Sequence, residues 1–183
     1  MKAIPTKTSL LVIDEIINKG AISEGSVVAD LGCGRSVLFL YSLAKRVGKA
    51  GRVYGIDILP EVIESAERDM KHHGLHEVSI IKGDLEKYND VAIANNAIEI
   101  AFLINTINQI SDTTSLFNEV SRILKKSGKL IIVDWHKSES PFGPMNSQRV
   151  SISQLKKALD VSKFSILDEF EAGPYHYGLV VSK

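Results

Sequence analysis

Short β-branched runs alternate with stretches of helical spacing along most of this chain, and that alternation narrows the fold more than any other feature. Val27-Val28-Ala29, Val53-Tyr54-Gly55-Ile56, Val78-Ser79-Ile80-Ile81 and the runs 98–104 and 130–133 are nearly continuous in apolar residues. Strands written this way are covered on both faces. The clearest helix opens at Asp112, whose carboxylate can cap the first-turn N–H groups. Leu116, Phe117, Val120, Ile123 and Leu124 form its apolar stripe. Lys125 and Lys126 suit its C-terminus, and Gly128 is expected to give it a left-handed exit. A second helix opens at Pro60, buries Val62, Ile63, Ala66 and Met70, and stops near Gly74. An opening helix is expected over about 8–19, and 36–47 is apolar nearly all round. Five such αβ units imply a parallel sheet with helices on both faces.

The tail breaks the rhythm. After a short helix near 153–160 come two strands, about 164–170 and 177–181. The segment 171–176 between them is too short for a parallel crossover, so they form an antiparallel hairpin. No repeat or linker divides the 183 residues, which suit one domain over 1–183.

Charge and composition exclude several classes. Lys+Arg and Asp+Glu both number 22, so the net charge is zero and there is no strong nucleic-acid signal. The single cysteine, Cys33, forbids an internal disulfide. The opening residues do not read as a signal peptide, and no apolar run reaches the roughly 18 residues that span a bilayer. A cytoplasmic protein is expected.

Chemistry concentrates at the strand ends. Asp30-Leu31-Gly32-Cys33-Gly34-Arg35-Ser36 leads from the first strand into a helix. Its glycines allow a tight turn and a close approach to a ligand, and the helix start offers free N–H groups. Asp57 ends the second strand, where a carboxylate can accept from both hydroxyls of a ribose. Asp84 follows the third strand, placed to accept from an exocyclic amine, with the Leu85 N–H available to a ring nitrogen. Each acid alone reads as a solvated turn residue. Three such features at successive strand ends point to one adenosyl group.

Asp30-Leu31-Gly32-Cys33-Gly34, Gly55-Ile56-Asp57 and Gly83-Asp84-Leu85 together resemble the motif series of the class I S-adenosylmethionine (SAM)-dependent methyltransferases. The stretch Glu119-Val120-Ser121-Arg122-Ile123-Leu124-Lys125-Lys126-Ser127-Gly128-Lys129-Leu130 is similar to the "type 11" group, which includes ubiquinone and menaquinone biosynthesis enzymes. The resemblance covers roughly 8–183. It implies the Rossmann-like α/β fold of that class, a mostly parallel seven-stranded sheet with an antiparallel terminal hairpin. It also implies SAM as cofactor, with Asp30, Gly32, Cys33, Gly34, Asp57, Ile58, Asp84, Leu85 and Asn105 around it and an N-terminal helix, within 1–20, beside it. Ser36 stands where the family often has a third glycine. The fourth motif carries amides, Asn105, Asn108 and Gln109, rather than an obvious base.

Methyl transfer from a sulfonium needs alignment more than a metal, and positioning accounts for roughly 7–11 kcal/mol of barrier. On the acceptor side the strand ends bring Asn108, Gln109 and Trp135, and the hairpin brings Tyr175. His136 or His176 is the candidate base or substrate anchor; each also reads as an ordinary loop histidine. His72, His73 and His76 straddle a helix end and lack a completing acid or cysteine, so no metal is expected. Cys33 fits a need for a small residue better than a nucleophile. The 137–150 segment, with Pro141, Gly143 and Pro144, is the one candidate lid, so the site is open or completed by a second subunit as a homodimer. A small-molecule or lipid-like acceptor follows. Three readings compete: an NAD(P)-dependent oxidoreductase, disfavoured because Val37 stands where a last glycine belongs; a non-catalytic nucleoside-cofactor-binding protein; and an RNA or protein methyltransferase.

Overall fold

The computed structural model describes residues 10–35 and 37–183. Seven strands form one sheet in the order β3-β2-β1-β4-β5-β7-β6. These are β1 (Val27–Leu31), β2 (Arg52–Asp57), β3 (Val78–Lys82), β4 (Ile98–Ile104), β5 (Leu124–Trp135), β6 (Ser165–Gly173) and β7 (His176–Ser182). The first five run parallel; β7 runs antiparallel to β5, and β6 antiparallel to β7. The hairpin between β6 and β7 turns through Pro174 and Tyr175. This is the class I fold expected above.

The helices are α1 (Ile13–Gly20), α2 (Leu38–Val47), α3 (Pro60–His72), α4 (Thr113–Ile123) and α5 (Ile152–Val161). Side chains alternate across each strand, so the sheet carries two cores. One face gives Val28, Val53, Phe102, Ile131 and Val180 to α1, α2 and α3. The other gives Ala29, Leu103, Ile132 and Leu179 to α4 and α5. Strand order reverses between β1 and β4, which opens a crevice at their carboxyl ends.

Four expectations change. The opening helix begins at Ile13, because residues 10–12 instead run beside the hairpin, with Val12 N–H donating to the Ala172 carbonyl at 3.0 Å. Thr8 lies outside the described residues, as does Ser36. There are four αβ units rather than five, since no helix separates β3 from β4. That connection is instead pinned by a buried ion pair: Arg122 donates to the carbonyls of Val91 and Ile93, and Glu119 accepts from the N–H groups of Asn89 and Val91. Helix α4 stops at Ile123 and the chain turns directly into extended backbone at Leu124. Lys125 therefore pairs with Glu99 at 2.7 Å instead of facing a helix end. Gly128 does not adopt a positive φ. It is needed for space: a Cβ there would sit 2.9 Å from the Lys125 carbonyl oxygen and 3.2 Å from that of Glu99.

Candidate active site

The turn after β1 is set by its glycines. Gly32 has φ +80°, and a Cβ on it would lie 2.7 Å from Thr106 Oγ1. Thr106 in turn donates to the Leu31 carbonyl at 3.2 Å, so the turn and the end of β4 are locked together. Gly34 has φ +61°, and a Cβ there would meet nothing within 4 Å. Its missing side chain faces open space, as a ligand cradle requires. The N–H groups of Gly32 and Cys33 both donate to the Ile56 carbonyl, at 2.8 and 2.9 Å.

Two cavities meet at this turn, sharing Gly32, Gly34, Arg35 and Gln109. One, about 470 Å³, is lined by Asp57, Ile58, Leu59, Asp84 and Leu85. The other, about 320 Å³, is lined by Leu11, Ile13, Asp30, Cys33, Phe39 and Asn105. The structure thus brings together Asp30, Gly32, Cys33, Gly34, Asp57, Ile58, Asp84, Leu85, Asn105 and Gln109 around one bipartite cleft.

The acids are held differently. Asp57 Oδ2 accepts from the Gly34 N–H and Oδ1 from the Leu59 N–H, each at 3.0 Å, so its carboxylate ties the glycine turn to the start of α3. Asp84 accepts from the Glu86 N–H at 2.9 Å and pairs with Lys87 at 3.0 Å. The Lys87 ammonium, with that N–H, holds its carboxyl below the usual range. Asp30 is buried and makes no hydrogen bond through its side chain among the described residues; burial, then the Asp57 carboxylate, pushes it up to about 7. Burial beside these two acids raises the Cys33 thiol, so it stays protonated and un-nucleophilic.

Asn105 follows β4 at φ +56°, a left-handed conformation that asparagine adopts more readily than most side chains. The Oδ1 atoms of Asn105 and Asn108 are buried without a partner among the described residues. Asp134, fully buried, accepts from the N–H groups of Ile107 and Trp135 and so fixes the loop after β4 against the end of β5. Burial raises its carboxyl to about 6.

Neither histidine lines the cleft. His136 follows β5, with Nε2 2.9 Å from Glu171 and its ring 5.7 Å from that of Tyr177. His176 is fully buried, with its ring centroid 4.0 Å from that of Trp135. Burial holds its imidazole neutral down to about 4. Trp135 is buried too, covered by Gly143 and Arg149, and Tyr175 packs on Phe142 of the loop that follows β5.

Sequence reasoning missed Arg149. Its buried guanidinium donates to the carbonyls of His136, Ser138, Phe142 and Pro144, gathering the 136–149 loop around one cation. A lone Arg after a Pro/Gly-rich stretch was the only signal. It also missed Leu11, Ile13 and Phe39, whose apolar spacing reads as ordinary helix core.

A family model described as "Methyltransferase domain" matches residues 22–169. Among curated relatives, the chain is 30% identical over 122 residues to a 2-phytyl-1,4-naphtoquinone methyltransferase of Nostoc punctiforme, covering 66% of this chain and 51% of that protein. It is 31% identical over 121 residues to the arsenite methyltransferase of Homo sapiens, covering 63% and 32%. The chain thus spans about half the length of the first relative and about a third of the second. Solved structures match more completely. A SAM-dependent methyltransferase from Aquifex aeolicus superposes with TM-score 0.89 at 26% identity, over 97% of this chain and 93% of that one. A type 11 methyltransferase from Sulfolobus solfataricus gives 0.78 at 26%, over 96% and 94%.

Proposed function

This chain belongs to the class I SAM-dependent methyltransferases of the type 11 group, with SAM as cofactor, and from that premise we propose that it carries the SAM methyl by in-line displacement to a nucleophile on a small or lipid-like acceptor. The observation that carries this reading is the bipartite cleft hinged at the glycine turn. Its larger half has two carboxylates for an adenosine; its smaller half has a buried, unpaired acid and an orphaned amide oxygen for an amino acid. The residues fit the group chemically. Gly34 leaves a cradle, and Asn105 Oδ1 and Asp30 lack the partners that an ammonium would supply.

When bound, SAM supplies a methyl group already activated on a sulfonium. In our reading Asp57 accepts from the ribose hydroxyls while the Gly34 N–H fixes its orientation. Asp84 accepts from the exocyclic amine. The Leu85 N–H, which donates to no other described group, serves a ring nitrogen, and Ile58 covers the base. Gly32, Cys33 and Gly34 bring backbone to the amino-acid portion, with Asp30 facing its ammonium. Asn105 and Gln109 stand between this half and the acceptor, on whose side we place Asn108, Trp135 and Tyr175. Among the described residues no histidine lines the cleft, and His136 pairs with Glu171 outside it, so we assign no general base.

The relatives named above act on a phytyl-naphthoquinone and on arsenite, both small or lipid-like, which supports that acceptor class. Among the described residues no helix is long and apolar enough to cross a membrane. Calorimetric titration with S-adenosylhomocysteine tests the reading. The wild type should bind it, NAD should not compete, and Asp57→Ala should weaken it about 30-fold, or about 2 kcal/mol for lost charged hydrogen bonds. No binding by the wild type sinks the proposal.

A further inference from the structure

The turn after β3 walls the larger cavity through Gly83, Asp84, Leu85 and Glu86. It uses up most of its own N–H groups. The Asp84 N–H donates to Asp90 Oδ2 at 2.8 Å, the Glu86 N–H to Asp84 Oδ1 at 2.9 Å and the Lys87 N–H to the Asp84 carbonyl at 3.1 Å. The Leu85 N–H keeps no partner among the described residues. Consecutive residues of the cavity wall therefore offer a carboxylate and a free N–H, an acceptor followed by a donor. Lys87 pairs with Asp84 at 3.0 Å and keeps the carboxylate ionised, so it only accepts. A carboxylate oxygen has a second lone pair, which leaves room for an amine.

No helix backs this turn, and residues 89–95 beyond it form neither helix nor strand. Helix α4 does the holding instead. Buried Arg122 donates to the Val91 carbonyl, the Ile93 carbonyl and Asn95 Oδ1 at 2.9, 2.7 and 2.9 Å. Glu119 accepts from the Asn89 and Val91 N–H groups at 2.7 and 3.3 Å, and pairs with Arg122 at 2.6 Å. Two contacts carry that order to the turn. Asp90, between the two residues that Glu119 anchors, takes the Asp84 N–H. Val91 backs Gly83 so closely that a Cβ on Gly83 would lie 3.0 Å from its side chain and 3.2 Å from its Cα. At the near end of α4, Glu86 Oε1 accepts from the Ser111 N–H at 2.8 Å.

A buried ion pair is weak evidence for stability, because desolvation offsets its attraction and apolar side chains of like volume often serve as well. Apolar side chains cannot dictate where the N–H and carbonyl groups of an irregular segment point. Glu119 and Arg122 do so, and the segment they fix abuts the cavity wall.

We propose, on the methyltransferase reading just given, that Glu119, Arg122 and Asp90 are positioning residues for the base: they fix the Asp84 carboxylate and the Leu85 N–H relative to each other and thereby set a preference for adenine over a base with a carbonyl in place of the amine. Adenine presents an exocyclic amine beside a bare ring nitrogen, which matches an acceptor followed by a donor. Hypoxanthine presents a carbonyl beside a ring N–H and opposes both. A site built to meet particular hydrogen-bonding groups rejects the analogue that leaves them unpaired, provided its own groups are held still. The hold comes from residues that touch no part of the base.

Calorimetric titration of the full chain with S-adenosylhomocysteine and with S-inosylhomocysteine tests this, the readout being the ratio of the two affinities. The wild type should favour the adenine compound about 50-fold. Asp90→Ala should weaken S-adenosylhomocysteine about tenfold and S-inosylhomocysteine by less than about twofold. Asp90→Asn keeps an oxygen for the Asp84 N–H and should restore the ratio to within about twofold of wild type. Arg122→Lys keeps a charge opposite Glu119 without the planar fork, and should lower the ratio about fivefold. A ratio unchanged in Asp90→Ala, or a loss shared equally by both compounds, overturns the proposal, as does a wild type that binds both alike. Should urea unfolding show that Arg122→Lys does not fold, the exposed Asp90 still decides. A wild type that binds neither compound would overturn the methyltransferase reading itself, and this proposal with it.

Discussion

The two halves of the sheet's working end are built by different means. Around β1, β2 and β3 the groups that meet a ligand are held by neighbouring backbone. Gly34 and Leu59 N–H groups grip Asp57, the Glu86 N–H grips Asp84, and Thr106 closes behind Gly32. Around β5 and β7 the surroundings are held by side-chain contacts and by packing of the segment before α1. Arg149 gathers a loop, Glu171 holds His136, and that segment lies against His176. The first construction is rigid because a turn has few alternatives once its φ angles are fixed. The second can be undone one contact at a time, which suits a surface that must admit a second molecule.

Two substitutions separate these halves, and the larger effect on cofactor affinity belongs to the rigid one. Gly32→Ala must place a Cβ at φ +80° and against Thr106. The left-handed strain alone costs about 1–2 kcal/mol, and the clash adds to it. S-adenosylhomocysteine affinity should fall about 100-fold by calorimetry. If affinity survives, the turn is not the rigid element described. Arg149→Ala leaves four carbonyls without their donor. It should lower stability in urea by about 3 kcal/mol while leaving cofactor affinity within about twofold. A matched loss of cofactor binding would mean the two halves are coupled.

The same contrast explains what the sequence made readable. Buried parallel strands appear as continuous apolar runs, and the acids at their ends appear as polar interruptions, so β1, β2, β3 and their carboxylates could be placed from local pattern. The missing helix before β4 could not. Residues 83–97 are ordered by Glu119 and Arg122, roughly thirty positions away, and nothing in the local spacing announces that. Gly128 was assigned a turn on helix-exit grounds, whereas its real constraint is the carbonyl of Glu99 on the adjacent strand. His136 and His176 were read as cleft residues from strand order alone. Tertiary packing instead pairs His136 with Glu171 and buries His176 against Trp135.

Asp30 offers the smallest effect and the sharpest probe of the rigid half. Its carboxyl is pushed from 3.8 to about 7, by burial first and the Asp57 carboxylate second. A raised value means the fold holds the proton more tightly than the unfolded chain. This acid therefore supports stability at low pH, and that support is lost as pH rises from about 4 to about 7. A cationic ammonium in the smaller cavity acts in the opposite sense, since it favours the ionised form. Binding should then release a proton. S-adenosylhomocysteine should bind about tenfold more tightly at pH 8 than at pH 6. Asp30→Asn should flatten that dependence and abolish the proton release seen by titration in buffers of different ionisation enthalpy. A flat profile in the wild type would place the ammonium away from Asp30, and the smaller half of the cleft would then need a different occupant.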